Sequence, residues 1–125
     1  GLSMKPEELQ IYDWVLINDT PHQVKQITRK KVGYHRIPYN LDYVRLIDIE
    51  PIPITAEILE KNGIKNDKVS RWYKWEDEHA KILFNPYYCV SDIESIEVTI
   101  KAYFVYVHEL QQAIRLCGID KKIEL

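Results

Sequence analysis

The stretch YVHELQQAIRLCG, residues 106–118, begins like a zinc-protease signature and then departs from it. His108 and Glu109 supply the first two letters of H-E-x-x-H, but position 112 is Gln112, an amide that binds zinc poorly. Helix geometry decides between a metal site and a packing helix. With about 100° per residue and Leu110 set at zero, Tyr103, Tyr106, Val107, Ala113, Ile114 and Cys117 all fall within about 60° of it. That is a full apolar stripe, and burying Leu110 and Ile114 is worth about 1.5–3 kcal/mol each. His108 and Gln112 fall about 160° away on either side, with Arg115 beside them. The pattern therefore predicts a packing helix over 104–117, with His108 and Gln112 on a solvated or partner-facing side and no metal held. Gly118 ends this helix and Ile119 can fold back onto Ile114. No capping residue marks its start.

The same ending occurs once more. Thr55 can cap AEILEKN, Glu57 lies in the favourable first turn, and Gly63 followed by Ile64 provides the stop, predicting a helix near 55–62. Ile54 and Leu59 have the spacing of a hydrophobic staple.

The remainder reads as strands. IYDWVLIND, residues 11–19, is β-branched and aromatic, Asn18 to Pro21 offers turn chemistry, and HQVKQITRKK follows as its partner. VGYHRIPYN reads as irregular because Gly33 and Pro38 interrupt it. LDYVRLIDIE reads as one strand, with Tyr43, Arg45, Ile47 and Ile49 on one face, leaving by an extended, unpaired exit at Pro51 and Pro53. A second hairpin is expected from Arg71 to Phe84 around an acidic turn at 76–78. SDIES reads as a connection to the strand IEVTIKA, residues 96–102. No repeat or interdomain linker interrupts this series.

A chain of 125 residues is long enough for one core, and these residues are expected to form a single domain, with residues 1–3 as an expression scar or loose terminus. A net charge of −2 sets up no global field for polyanions. No apolar run approaches the roughly 20 residues that span a bilayer, and the first residues do not read as a signal peptide. The expectation is a cytoplasmic protein with reduced thiols and no membrane partner.

Chemistry-bearing patterns are sparse. Cys89 and Cys117 have no CxxC spacing and the four histidines are scattered, so neither a metal nor another cofactor is expected, and no catalytic residue can be nominated. Lys25, Arg29, Lys30, Lys31 and Arg36 occur with no acid among them, beside Tyr34, His35 and Tyr39. Such a segment suits nucleic acid, or it is a solvated hairpin whose lysines discourage edge pairing. RWYKW sets Tyr73 and Trp75 on one strand face and Trp72 on the other, as core or as interface anchors. Trp72, Tyr73, Trp75, His108 and Gln112 are the candidates for contact with a protein.

DWVLINDTPHQVKQI, IPITAEILEKNGIK and YVHELQQAIRLCGI together resemble an uncharacterised family of small proteins from gut bacteria and their phages or prophages. That resemblance implies no activity and no site residue. The N-terminal hairpin is also similar to the opening of SH3-like small barrels, which often place Gly-Asp before a strand; here Tyr12 stands at the glycine. The combined expectation is an α+β domain, SH3-like in its N-terminal half, with further β-hairpins and two short helices. Its expected role is a non-enzymatic module that binds a protein or itself, phage- or mobile-element-associated. Nucleic-acid binding through Lys25–Arg36 is the alternative, and an enzyme of unassigned class is the third reading.

Overall fold

The computed structural model describes residues 4–125; the terminus expected to be a scar, residues 1–3, lies outside the described residues. Two compact units meet in sequence between Ile52 and Pro53. Each holds a five-stranded antiparallel sheet, and the second also carries two α-helices, so the fold class is α+β. No helix among the described residues is long and apolar enough to cross a membrane.

The first unit begins with a 3-10 turn at Pro6–Glu8, followed by strands β1 (Trp14–Ile17), β2 (Thr20–Ile27), β3 (Lys31–Ile37) and β4 (Asn40–Arg45). A second 3-10 turn at Leu46–Asp48 leads into β5 (Ile49–Pro51), and the sheet order is β4-β3-β2-β1-β5. Val15, Ile17, Val24, Val32, Tyr34, Leu46 and Ile49 form its core with Met4 and Leu9. The first turn is tighter than expected: only Asn18 and Asp19, with φ of 51° and 62°, make the left-handed bend that suits a two-residue hairpin. Pro21 already belongs to β2, opposite Leu16.

Three expectations for this unit are corrected. Residues 32–37 are strand, with one register shift against β4 between His35 and Ile37, because Val32 and Tyr34 fill the core side while Gly33 is covered from the other side. Residues 42–49 do not form one strand. Leu46 and Ile49 are both buried, and a 3-10 turn puts residues three apart on one side where a strand would oppose them. Pro51 is paired, facing Val15 on the edge strand β5, where a missing N–H costs little.

The second unit runs α1 (Ala56–Lys61), β6 (Lys65–Asn66), β7 (Tyr73–Glu76), β8 (Ala80–Asn85), β9 (Val90–Ser95), β10 (Thr99–Tyr103) and α2 (Val107–Leu116), with sheet order β10-β9-β8-β7-β6. Pro53 forms a bridge with Tyr106, so this proline too is not an unpaired exit. Thr55 Oγ1 accepts the Ile58 N–H at 3.2 Å, as the capping pattern predicts. Both helices close in the same way. Gly63 and Gly118 have φ of 74° and 68°, the Ile64 N–H donates to Leu59 O, and the Ile119 N–H donates to Ile114 O.

SDIES is strand rather than connection. Ser91 and Ile93 point inward while Asp92 and Glu94 form the outer face, so polar letters that read as a loop are one side of β9. The turn falls at Ile96–Glu97, leaving Ile96 exposed. Helix α2 starts at Val107, three residues later than expected. Tyr103 is therefore an exposed residue of β10 and not part of the helical stripe. Glu109 Oε1 sets the start by accepting the N–H groups of Val105 and Tyr106 at 3.1 and 2.9 Å. Val107, Leu110, Ala113, Ile114 and Cys117 are buried as the stripe requires, and Cys117 Sγ lies 3.8 Å from Ile93 O, seating the end of α2 on β9.

Candidate binding face

Register places Lys31 opposite Arg45, Gly33 opposite Tyr43 and His35 opposite Leu41, all on the outer face of β3 and β4. Gln26 of β2 faces Gly33 from the other side. Gly33 decides what this face can present. A Cβ there would lie 3.0 Å from Gln26 Cβ and 3.2 Å from Tyr43 Cε1, so the missing side chain leaves the space over which the Tyr43 ring lies. The Tyr43 hydroxyl donates to Gln26 Oε1 at 2.7 Å and pins the ring at its far end. Although held at both ends, Tyr43 remains 53% exposed. Such a residue is an aromatic surface already ordered before any partner arrives.

The basic segment is split by the fold. Arg36 pairs with Asp42 at 2.6 Å, and that carboxylate raises the Arg36 pKa further through the hydrogen bond and its charge. Lys25 sits at a bulge in β2 and places Nζ 4.7 Å from the centre of the Tyr12 ring. Arg29 and Lys30 occupy the exposed β2–β3 turn and Lys31 opens β3. No ion pair holds these three among the described residues. Thus three of the five predicted cations stay together, Lys31 on the Tyr43 face and Arg29 and Lys30 in the turn that adjoins it, while Lys25 and Arg36 are engaged elsewhere.

The aromatic candidates divide as alternation requires. Tyr73 and Trp75 face Phe84 and Ile82 across β8, on the core side, and Lys121 Nζ lies 5.1 Å from the Trp75 ring. Burial beside that ring lowers the Lys121 pKa. Trp72 lies on the outer side, in a shallow hollow of about 580 Å³ with Lys65, Lys74 and Lys81. A second open groove, about 530 Å³, runs past Ile96, Val98 and Leu116 with Asp77 and Asp120 at its rim.

His108 differs from expectation. It is buried, at 5% exposure, and stacks on Tyr106 with ring centres 5.9 Å apart. Its Nδ1 has no hydrogen-bond partner. Gln111 is buried as well and Gln112 half-buried. An apolar stripe specifies which face must be covered; it places no upper limit on how much of the helix is enclosed. No group of three or more His, Cys, Asp and Glu among the described residues could hold a metal ion.

Tyr43, Gly33 and Gln26 were not singled out by sequence. The available signal was a glycine within a β-favouring run and an aromatic on the neighbouring strand, but their pairing depends on register. No family model matches the chain, and comparison with the curated proteins and with the solved structures yields no match.

Proposed function

We propose that the chain is a non-enzymatic binding module that takes its partner on the outer face of β2, β3 and β4. The observation that carries this reading is Tyr43, exposed yet fixed between Gly33 and Gln26. Exposed Leu41 continues this face toward the β3–β4 turn, where Tyr39 is almost fully exposed, an apolar content that a solvated sheet face does not need.

The SH3-like reading of this unit draws support from two features. Its order β4-β3-β2-β1-β5, with a 3-10 turn before β5, suits a small barrel of that class. Tyr12, at the position where such barrels often have glycine, takes φ of 75°, the conformation glycine accepts at least cost. Barrels of this kind serve as binding modules for peptides, nucleic acid or other subunits, and this is an argument from fold analogy. The phage- or mobile-element association rests on the resemblance of the three quoted stretches, and the cytoplasmic setting is supported by the unbridged Cys89 and Cys117.

Size-exclusion chromatography with light scattering, together with retention of partners from host lysate, tests the reading. Wild-type protein is expected to self-associate or retain a partner, and Tyr43→Ala to lose it. A strict monomer that retains nothing overturns the proposal.

A further inference from the structure

We infer that the partner of the Tyr43 face is single-stranded nucleic acid, an assignment that rests on the binding-module reading above. Three features of this face converge on that chemistry. Tyr43 offers an ordered π-face, and an unpaired base stacks on such a ring whatever its identity. Lys31 lies one pair further along the same face, and Arg29 and Lys30 follow at the turn it leads into. The distribution of acids makes these cations effective. Asp42 is engaged by Arg36 and Asp48 by Arg45, so both carboxylates on the β4 side are already neutralised by ion pairs. Glu50 is on β5, at the opposite edge of the sheet.

The result is a cationic end and an aromatic middle on one continuous face. Phosphates meet Arg29, Lys30 and Lys31 while a base lies on Tyr43, with Leu41, next along the same face, available to a second base. A duplex has no unpaired base to offer the ring, so single strands are selected by stacking and held by charge. The near-neutral whole chain does not oppose this, because phosphate contacts act over about a Debye length, roughly 10 Å at ordinary salt. A protein ligand would use the tyrosine and the aliphatic residues equally well but would leave the three uncompensated cations unexplained.

The test uses the full chain and fluorescein-labelled dodecamers of thymidylate and of uridylate, followed by anisotropy between about 50 and 200 mM salt. Both oligonucleotides are expected to bind at the lower salt and to weaken as salt rises; the difference between them separates DNA from RNA as the preferred source. Tyr43→Ala should weaken binding by about 5- to 150-fold, whereas Tyr43→Phe, which keeps the ring, should stay within a few-fold of wild type. The double change Lys30→Glu, Lys31→Glu should reduce the slope of affinity against salt. Thermal melts of each variant establish that the fold persists, and Tyr43→Phe serves as the folded reference if Tyr43→Ala melts early.

No anisotropy change with either oligonucleotide at low salt overturns the assignment. So does binding that Tyr43→Ala leaves unchanged, or a duplex bound as tightly as the single strand. If the oligonucleotides fail while Tyr43→Ala still abolishes self-association or partner retention, the ligand is a protein and the binding face stands. Failure of both removes the face itself.

Discussion

Asn62 and Glu124, separated by 62 positions, are joined by two hydrogen bonds: Asn62 Nδ2 donates to Glu124 O at 2.9 Å, and the Glu124 N–H donates to Asn62 Oδ1 at 2.7 Å. The same amide also donates to Ile58 O at 2.8 Å. A single side chain thus caps α1 and ties the C-terminal tail beside it, where Ile119 and Ile123 are buried. Asn62→Ala removes all three bonds and leaves part-buried backbone groups of Ile58 and Glu124 without these partners. It should cost about 1–3 kcal/mol in urea unfolding and increase amide exchange in residues 119–125.

Tyr12 provides a test by reversal of the usual order. Alanine ordinarily stabilises relative to glycine, but φ of 75° at this position penalises any Cβ. Tyr12→Ala and Tyr12→Gly both lose the ring and its contact with Lys25, so only the backbone term differs between them. Tyr12→Gly should be the more stable of the two by about 1 kcal/mol, read from denaturation midpoints. Equal midpoints, or alanine ahead, would show that this backbone carries no strain.

His108 should tolerate an apolar ring. Its Nδ1 is buried without a partner, and removing an unsatisfied polar atom relieves a cost rather than creating one. His108→Phe, which retains the stacking on Tyr106, should melt at or above the wild-type temperature, while His108→Ala opens a cavity and should melt lower. A large loss for His108→Phe would point instead to a required polar role for the imidazole.

His22 gives a pH dependence. Burial lowers its pKa below the ordinary 6.5, and its ring lies 4.8 Å from that of Tyr34. The unfolded chain therefore takes up a proton at higher pH than the folded chain, and stability falls as pH drops through about 6.5 toward the folded value. Above 6.5 both states are neutral at this position and the penalty vanishes. Melting temperature should decline between pH 7.5 and 5.5, by less in His22→Gln than in wild type. Parallel declines in the two proteins would remove His22 as the cause.

Local grammar was readable without coordinates, because it depends on residues within one turn of each other. Thr55 as a cap, the paired endings at Gly63–Ile64 and Gly118–Ile119, and the stripe of Leu110, Ala113, Ile114 and Cys117 all have this character. The α+β class followed from the same short-range patterns. Readings failed where a pattern had two solutions of similar local cost. Polar letters in SDIES could be a loop or an outer strand face, and alternation through Leu46 could continue a strand or turn a corner.

What only tertiary structure decided was pairing and enclosure. Gly33 acquires a function when register brings Tyr43 opposite it, and a shift of one residue would turn that ring to the other side of the sheet. The burial of His108 likewise depends on what surrounds α2, whereas helical periodicity describes only the helix itself. Sequence specifies local conformation through contacts a few bonds away. Which cations remain unpaired, and which aromatic they accompany, depends on residues distant in the chain becoming neighbours in space.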